Sequence, residues 1–211
     1  MTASTALHLP SDERDRRVRE AVHALLAEQG MRLSMDAVAA RAGCAKQTLY
    51  ARYGSKQNLL RQVMQEYTDL ITAHLVADGP DLRAGLLAFA REHLDQLNRP
   101  ETIRISQLIE AESSRFPEQA RRIYRDGVAG LQHRLADWLR AAMDRGQLSS
   151  HDDPHFMAEL LLGMIVGLDF ERRRFHMPHR ATARERQRWA EFAVDSFLRT
   201  FSASDFPHSN L

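Results

Sequence analysis

The glycine spacing in the stretch SMDAVAARAGCAKQTLYARYGSK restricts which folds are open to the chain. Gly43 and Gly54 each follow a short run that favours helix, and glycine commonly ends a helix. Ser34 can cap the first run, because a serine oxygen accepts hydrogen bonds from the free N–H groups at a helix start. Leu49 and Tyr53 lie four residues apart in the second run, so they share one face. The stretch therefore predicts two short helices joined by a tight turn.

The remainder of the chain is helical in pattern as well. Apolar residues recur at spacings of three and four from Val18 onward, and β-branched residues nowhere alternate as they do in a strand. We predict an all-α fold with about nine helices, of which the first ends at Gly30 and the fourth near Val76. Five more are expected near residues 81–98, 101–114, 117–145, 154–176 and 182–202. Gly127 and Gly130 are placed to kink or split the third of these five.

Positive charge is concentrated in one part of a nearly neutral chain. The 211 residues carry a formal net charge of +1, and the only two lysines, Lys46 and Lys56, stand against 27 arginines. Between Gly30 and Gln62 there are six basic residues and one acidic residue, Asp36. A local basic patch of this kind predicts one anionic partner at one place.

The same composition excludes several classes of protein. Cys44 is the single cysteine, so no intrachain disulfide is possible. The longest apolar run, Leu160–Leu168, is far shorter than the roughly 20 residues that a membrane span needs. No signal peptide is visible, so we expect a cytoplasmic protein with no membrane partner. His151, Asp152, Asp153 and His155 have metal-ligand side chains but are better suited to capping the next helix, and we predict no metal site, no cofactor and no catalytic residues.

The second short helix carries side chains suited to DNA. In a helix-turn-helix this helix enters the major groove. Gln47 can both donate to and accept from a base edge, and Thr48 can contact a thymine methyl group or a phosphate. Tyr50 offers a hydroxyl to phosphate, while Lys46 and Lys56 supply compact positive charge.

This stretch resembles the TetR family of bacterial transcriptional regulators over about residues 14–62. The residues that carry the resemblance are Ser34-Met35-Asp36-Ala37-Val38-Ala39, Ala42-Gly43, Lys46, Thr48-Leu49-Tyr50, Tyr53 and Ser55-Lys56. The resemblance implies that Ser34, Lys46, Gln47, Thr48, Tyr50 and Lys56 lie at or near DNA. The chain departs from the family pattern at Ala45, where serine is frequent, and at Arg52, where histidine is frequent. Arg52 still has the length to reach phosphate.

The residue pattern, which lacks periodicity over residues 1–10, and the resemblance together predict a domain organisation. We expect a flexible arm over residues 1–10, a three-helix DNA-binding domain over 11–58, and a helical effector-binding and dimerisation domain over 59–211. Gly163 and Gly167 lie four apart in an apolar helix, which would let another helix approach closely. Together with Trp189, Phe192 and Phe197 of the last helix, they are the predicted dimer interface. The alternative is that both helices only complete the chain's own core.

Residues near 103–170 look like the AefR-type C-terminal domain of this family, which implies a small-molecule cavity. The candidate effector contacts are apolar, aromatic or weakly polar groups expected between helices: Phe89, His93, Leu108, Glu112, Tyr124, Leu131, Trp138 and Met164. For any one of them an ordinary core position is the alternative.

These observations predict a ligand-responsive, dimeric DNA-binding regulator. The expected mode is a repressor that a small apolar effector releases from a palindromic double-stranded DNA operator. The alternative is an all-α small-molecule-binding protein or enzyme with a vestigial helix-turn-helix.

Overall fold

The computed structural model of the protein describes residues 11–76, 79, 81–148 and 152–202. Its α-helices are α1 Ser11–Gln29, α2 Met35–Ala42, α3 Lys46–Tyr53, α4 Lys56–Thr72, α5 Leu82–Leu97, α6 Pro100–Glu112, α7 Pro117–Tyr124, α8 Gly130–Asp144, α9 Pro154–Val166, α10 Asp169–Arg174 and α11 Ala183–Phe201. A 3-10 turn, Gly30–Arg32, follows α1. The all-α prediction is confirmed, and the predicted arm over residues 1–10 lies outside the described residues.

Two of the five helices expected after residue 80 are divided in the structure, the first of them at the predicted glycines. The helix expected over 117–145 is interrupted by a π-helical turn, Arg125–Ala129, which contains Gly127 and immediately precedes Gly130. The helix expected over 154–176 was wrong as a single element. It ends at Gly167, whose φ of 55° lies in the left-handed region that favours glycine. An added Cβ there would meet Trp189 at 3.1 Å, so packing within the chain also requires glycine.

The chain forms two compact units. Unit 1 comprises residues 11–67 with 99–128, and unit 2 comprises residues 68–98 with 129–202. Unit 1 therefore contains α1, α2 and α3 and also α6 and α7, which lie much later in the sequence. The division falls inside α4, and the domain boundary predicted after residue 58 stays a prediction.

The core of unit 1 fixes the position of the two short helices. Val22 and Leu26 of α1, Val38 of α2, Leu49 of α3 and Leu59 of α4 are buried in one cluster. The helix α6 packs along α1 and against the 3-10 turn. Burying a side chain of this size stabilises a fold by about 1.5–3 kcal/mol, so the helix-turn-helix is held by its neighbours and not by helix propensity alone.

Unit 2 has an apolar core with a buried ion cluster at one place. The helix α8 packs on α9 and α5 packs on α11, with Phe89 and Phe197 completely buried. Asp169 at the start of α10 is only 2% exposed, and its Oδ2 lies 3.1 Å from Nε of Arg180. Arg172 also donates to its Oδ1, at 3.4 Å. Because the guanidinium of Arg180 stacks 4.1 Å from the ring centroid of Trp189, this cluster ties α10 to α11.

Candidate nucleic-acid interface

Backbone geometry sets the angle between α2 and α3. The hydroxyl of Ser34 accepts a hydrogen bond from the N–H of Ala37 at 3.2 Å, which caps α2. Gly43 ends α2 with a φ of 63°, a left-handed conformation that costs glycine little. The N–H of Cys44 then returns to the carbonyl of Ala39 at 3.1 Å, which closes the tight turn. Ala45 occupies the N-cap position of α3 and provides no side-chain hydrogen bond to the helix start, as expected for alanine where the family pattern has serine.

The inner face of α3 is anchored by two buried residues. Leu49 is 1% exposed and Tyr53 is 7% exposed, as predicted from their spacing. The hydroxyl of Tyr53 donates to Oδ1 of Asp15 at 3.0 Å, and Arg52 donates to Oδ2 of the same carboxylate at 3.0 Å. Burial and the Asp15 contact raise the pKa of Tyr53 to about 12, so the hydroxyl stays protonated as a donor. Burial opposes ionisation of Asp15, but the two donors outweigh it and lower its pKa.

The outer face of α3 presents the polar residues predicted to read DNA. Lys46, Gln47 and Tyr50 are exposed, and Thr48 is half-buried beside them. The ammonium of Lys46 lies 5.9 Å from the ring centroid of Tyr50 and 2.7 Å from Oδ1 of Asp36. The hydrogen bond from Lys46 to Asp36 and their charge attraction raise the pKa of Lys46, which keeps it cationic. Phosphate binding by Lys46 therefore has to compete with Asp36.

Lys56 occupies a different environment from the other predicted DNA contacts. It is half-buried, and its ammonium donates to the backbone carbonyl of Met31 at 2.6 Å. Burial lowers the pKa of Lys56, and the carboxylate of Glu112 opposes that shift. In this arrangement Lys56 stabilises the 3-10 turn, so its role as a phosphate contact stays a prediction.

Glu112 fixes the other side of the same turn. Its Oε2 accepts from the N–H of Met31 at 2.8 Å, and its Oε1 lies 2.9 Å from Nε of Arg32. The residue was predicted as an effector contact, but its hydrogen bonds go to the turn that leads into α2. These contacts join the last turn of α6 to the entrance of the helix-turn-helix, and no sequence spacing signals them.

Two family models match the chain. Residues 19–63 match the N-terminal domain described as "Bacterial regulatory proteins, tetR family", and residues 84–203 match "AefR-like transcriptional repressor, C-terminal domain". The second match alone covers more than half of the chain. The protein belongs to the TetR family. It is therefore a DNA-binding transcriptional regulator and not an enzyme, and the exposed face of α3 is its candidate DNA-reading surface.

Solved structures of TetR-family regulators share the fold. A TetR-family transcriptional regulator from Mesorhizobium loti is 25% identical, with 92% of this chain and 100% of that chain covered and a TM-score of 0.72. The flavonoid-responsive regulator FrrA is 27% identical over 92% of this chain and 100% of its own, with a TM-score of 0.66. A regulator from Pseudomonas syringae pv. tomato is 23% identical over 92% and 99%, with a TM-score of 0.61. No curated protein sequence gives a significant match.

None of the described helices of this TetR-family regulator combines the length and the apolar character needed to cross a bilayer.

Neutralising Asp36 is expected to strengthen DNA binding. The Asp36→Asn variant frees Lys46 for phosphate and removes a negative charge from the reading surface, so affinity should rise about two- to fivefold for every DNA sequence tested. Gel-shift titration at fixed salt measures the change. Glu118→Gln is the matched control, because Glu118 lies on α7 and pairs with Arg121. An equal gain in both variants would mean that only net charge matters.

The predicted effector residues are divided between the two units. Phe89, His93, Leu131, Trp138 and Met164 belong to unit 2, where all except the half-buried Met164 are buried. The rings of Phe89 and His93 stack with centroids 6.0 Å apart. The indole of Trp138 donates to the carbonyl of Val76 at 3.2 Å.

The remaining members of the set, Leu108, Glu112 and Tyr124, belong to unit 1. Tyr124 is 59% exposed. Their part in an effector site stays a prediction.

His93 should make the stability of unit 2 dependent on pH. Burial lowers the pKa of His93 from 6.5 to about 4, and its Nδ1 has no hydrogen-bond partner among the described residues. The unfolded chain therefore binds the proton first, so stability is intact above pH 6.5 and declines as the pH falls toward 4, by about 3 kcal/mol in total. The His93→Phe variant should have a flatter profile in urea unfolding between pH 7 and 4.5. The exposed His74→Phe variant should follow the wild type, and parallel profiles for all three proteins would contradict the assignment.

The predicted dimer residues have unequal exposure. Gly163 and Phe192 are exposed, and an added Cβ at Gly163 would meet no atom within 4 Å in the described chain. Trp189 is half-buried and donates to the carbonyl of Ile165 at 2.8 Å. Phe197 is completely buried in its own chain and has no surface to offer a second copy.

Two further exposed apolar residues lie on α9 and were not among the predicted dimer residues. Phe156 is 72% exposed and Leu160 is 48% exposed. They precede Gly163 by seven and three residues, so the three positions share one helical face. We call Phe156, Leu160, Gly163 and Phe192 the apolar face of unit 2.

Proposed function

We propose that this regulator is a dimeric, ligand-responsive repressor that binds a palindromic operator. The reading surface carries the proposal. Lys46, Gln47 and Tyr50 project from a helix whose opposite side is fixed by Leu49 and Tyr53, so a base-reading side chain stands on a rigid element. Two such surfaces one DNA turn apart, at about 34–36 Å, would read two half-sites.

The second copy would pack on the apolar face of unit 2. Large apolar side chains are rarely exposed together on a monomer unless a partner covers them. Gly163 lies among them in a helix interior, where glycine costs about 1 kcal/mol relative to alanine. Close approach by a helix of the second chain compensates for that cost, because the glycine leaves room for a backbone.

The effector would be a small, largely apolar molecule. The match to the AefR-like repressor domain supports a repressor that responds to a ligand, and the 27% identical FrrA is responsive to flavonoids. The aromatic candidates Phe89 and Trp138 suit a planar apolar ligand. We infer that an aromatic compound of this class is bound in unit 2.

Release from DNA requires two conformations with different affinities for the effector. Glu112 at the end of α6 and Lys56 at the start of α4 both hydrogen-bond to the backbone of Met31. The turn after α1 is therefore connected to both helices within unit 1. A shift of α6 would break the hydrogen bond of Glu112 and reorient the entrance to α2. An effector that binds more tightly to this shifted state would favour it, and the two reading surfaces would then no longer match the operator.

Selection of bound sequences from random DNA, followed by gel shift, tests the proposal. The selected site should be palindromic. Lys46→Ala and Tyr50→Ala should each weaken binding to every site by about tenfold, while Gln47→Ala should change the order of preference between sites. Arg140→Ala, an exposed change on α8, is the control. Naringenin, a flavonoid, should release the operator.

Each part of this proposal can fail separately. Unchanged affinity of the Lys46 and Tyr50 variants would overturn the reading surface. A non-palindromic site would overturn the arrangement of two reading surfaces in a dimer. DNA binding that is unchanged by naringenin and other aromatic compounds would overturn the effector class.

A further inference from the structure

A basic cleft lies within unit 1, between the first half of α4 and the end of α7 with the π turn. Its volume is about 560 Å³. Lys56 and Arg61 line it from α4, and Arg122 and Arg125 line it from the opposite side. Asp126 is its one acidic lining residue. A cleft of this size fits a small organic molecule, and its excess of basic groups favours an anion.

Several of these basic groups have hydrogen-bond donors that are available to a ligand. Arg122 and Arg125 are exposed, and neither forms an ion pair within the described part of the chain. Arg61 donates from Nη2 to Asn58 at 3.0 Å, which leaves the other donors of its guanidinium. The ammonium of Lys56 has three donors and gives one to Met31. Since Lys56 is half-buried, a nearby anion would compensate for its lost hydration.

The cleft also has an apolar part. Leu60 of α4 and Ile123 of α7 line it beside the charged groups. The π turn supplies Arg125 and Asp126, and π-helical turns inside α-helices occur frequently at functional sites. The combination suits a ligand with a charged head and an apolar body.

We propose that this cleft binds an organic carboxylate with an apolar chain, whose head is held by Arg122, Arg125 and Lys56. The site shares no residue with the predicted effector set and does not depend on the proposed repressor function. An anion bound by Lys56 would lie beside the hydrogen bond between Lys56 and Met31, at the entrance to the helix-turn-helix.

Isothermal titration calorimetry of the full chain with decanoate tests the site. Wild-type protein should bind decanoate saturably, and decanol, which has the same chain without the charge, should bind at least about tenfold more weakly. Acetate should give no measurable heat, since it lacks the chain. The double variant Arg122→Gln/Arg125→Gln should lose at least about tenfold in decanoate affinity but keep the affinity of the wild type for decanol.

Arg121→Gln is the matched control, because Arg121 lies on the same helix, pairs with Glu118 and does not line the cleft. It should bind decanoate as the wild type does. Thermal melts of both variants check folding, which exposed arginines should not affect. Absent decanoate binding, equal binding of decanol and decanoate, or an unaffected double variant would each overturn the site. Weaker operator binding by the ligand-free double variant would mean that these arginines face DNA phosphate, which also overturns it.

Discussion

Replacing Asp169 with alanine is expected to lower the free energy of unfolding by about 3–5 kcal/mol. The change removes the carboxylate beside Arg180, whose side chain is only 13% exposed, and leaves the guanidinium buried without its counter-charge. Arg180 would then move toward solvent and withdraw from Trp189, which loosens α10 and α11 together. Urea unfolding followed by the fluorescence of Trp189 and Trp138 measures the loss.

Two further variants separate this mechanism from a general effect of removing charge. Asp137→Ala also breaks a pair with an arginine in unit 2, but both Asp137 and its partner Arg140 are exposed, so the loss should be about 1 kcal/mol or less. Asp169→Ala/Arg180→Met removes both charges and should recover a large part of the stability. A double variant as unstable as Asp169→Ala would show that the unpaired charge is not the cause.

Replacing Gly163 with leucine is expected to separate folding from assembly. The residue is exposed on α9 and an added side chain meets nothing in its own chain, so the monomer should gain about 1 kcal/mol of stability from helix propensity. The same side chain would keep a second helix from approaching. The variant should sediment as a monomer at micromolar concentration. Its operator affinity should fall by about 100-fold or more, because two linked reading surfaces bind far more tightly than one.

The control for this prediction is Ala84→Leu, which adds a comparable side chain at an exposed position of α5 in the same unit. It should remain dimeric and bind the operator as the wild type does. A wild type that is monomeric at micromolar concentration would refute the apolar face as a dimer surface, and so would a dimeric Gly163→Leu variant.

The different environments of Lys46 and Lys56 could not be predicted from the sequence. Both lysines were predicted as phosphate contacts from their position in a basic stretch. One is exposed and pairs with Asp36, ten residues away, while the other is half-buried and bonds the backbone of Met31. Charge and spacing could not separate these environments, because they depend on how α2, α4 and the 3-10 turn pack in three dimensions.

The local elements of this protein follow from its residue order. Glycine at Gly43 ends α2 because it adopts a left-handed backbone without steric cost, and the period of 3.6 residues places Leu49 inside and Gln47 outside. The partners that these elements contact depend on three-dimensional packing. Glu112 reaches Met31 across 81 residues. On α11, Phe197 is buried in its own chain while Phe192 is exposed. Helical spacing gives the faces of a helix, but the packing of distant segments decides which face is buried and which is left for a partner.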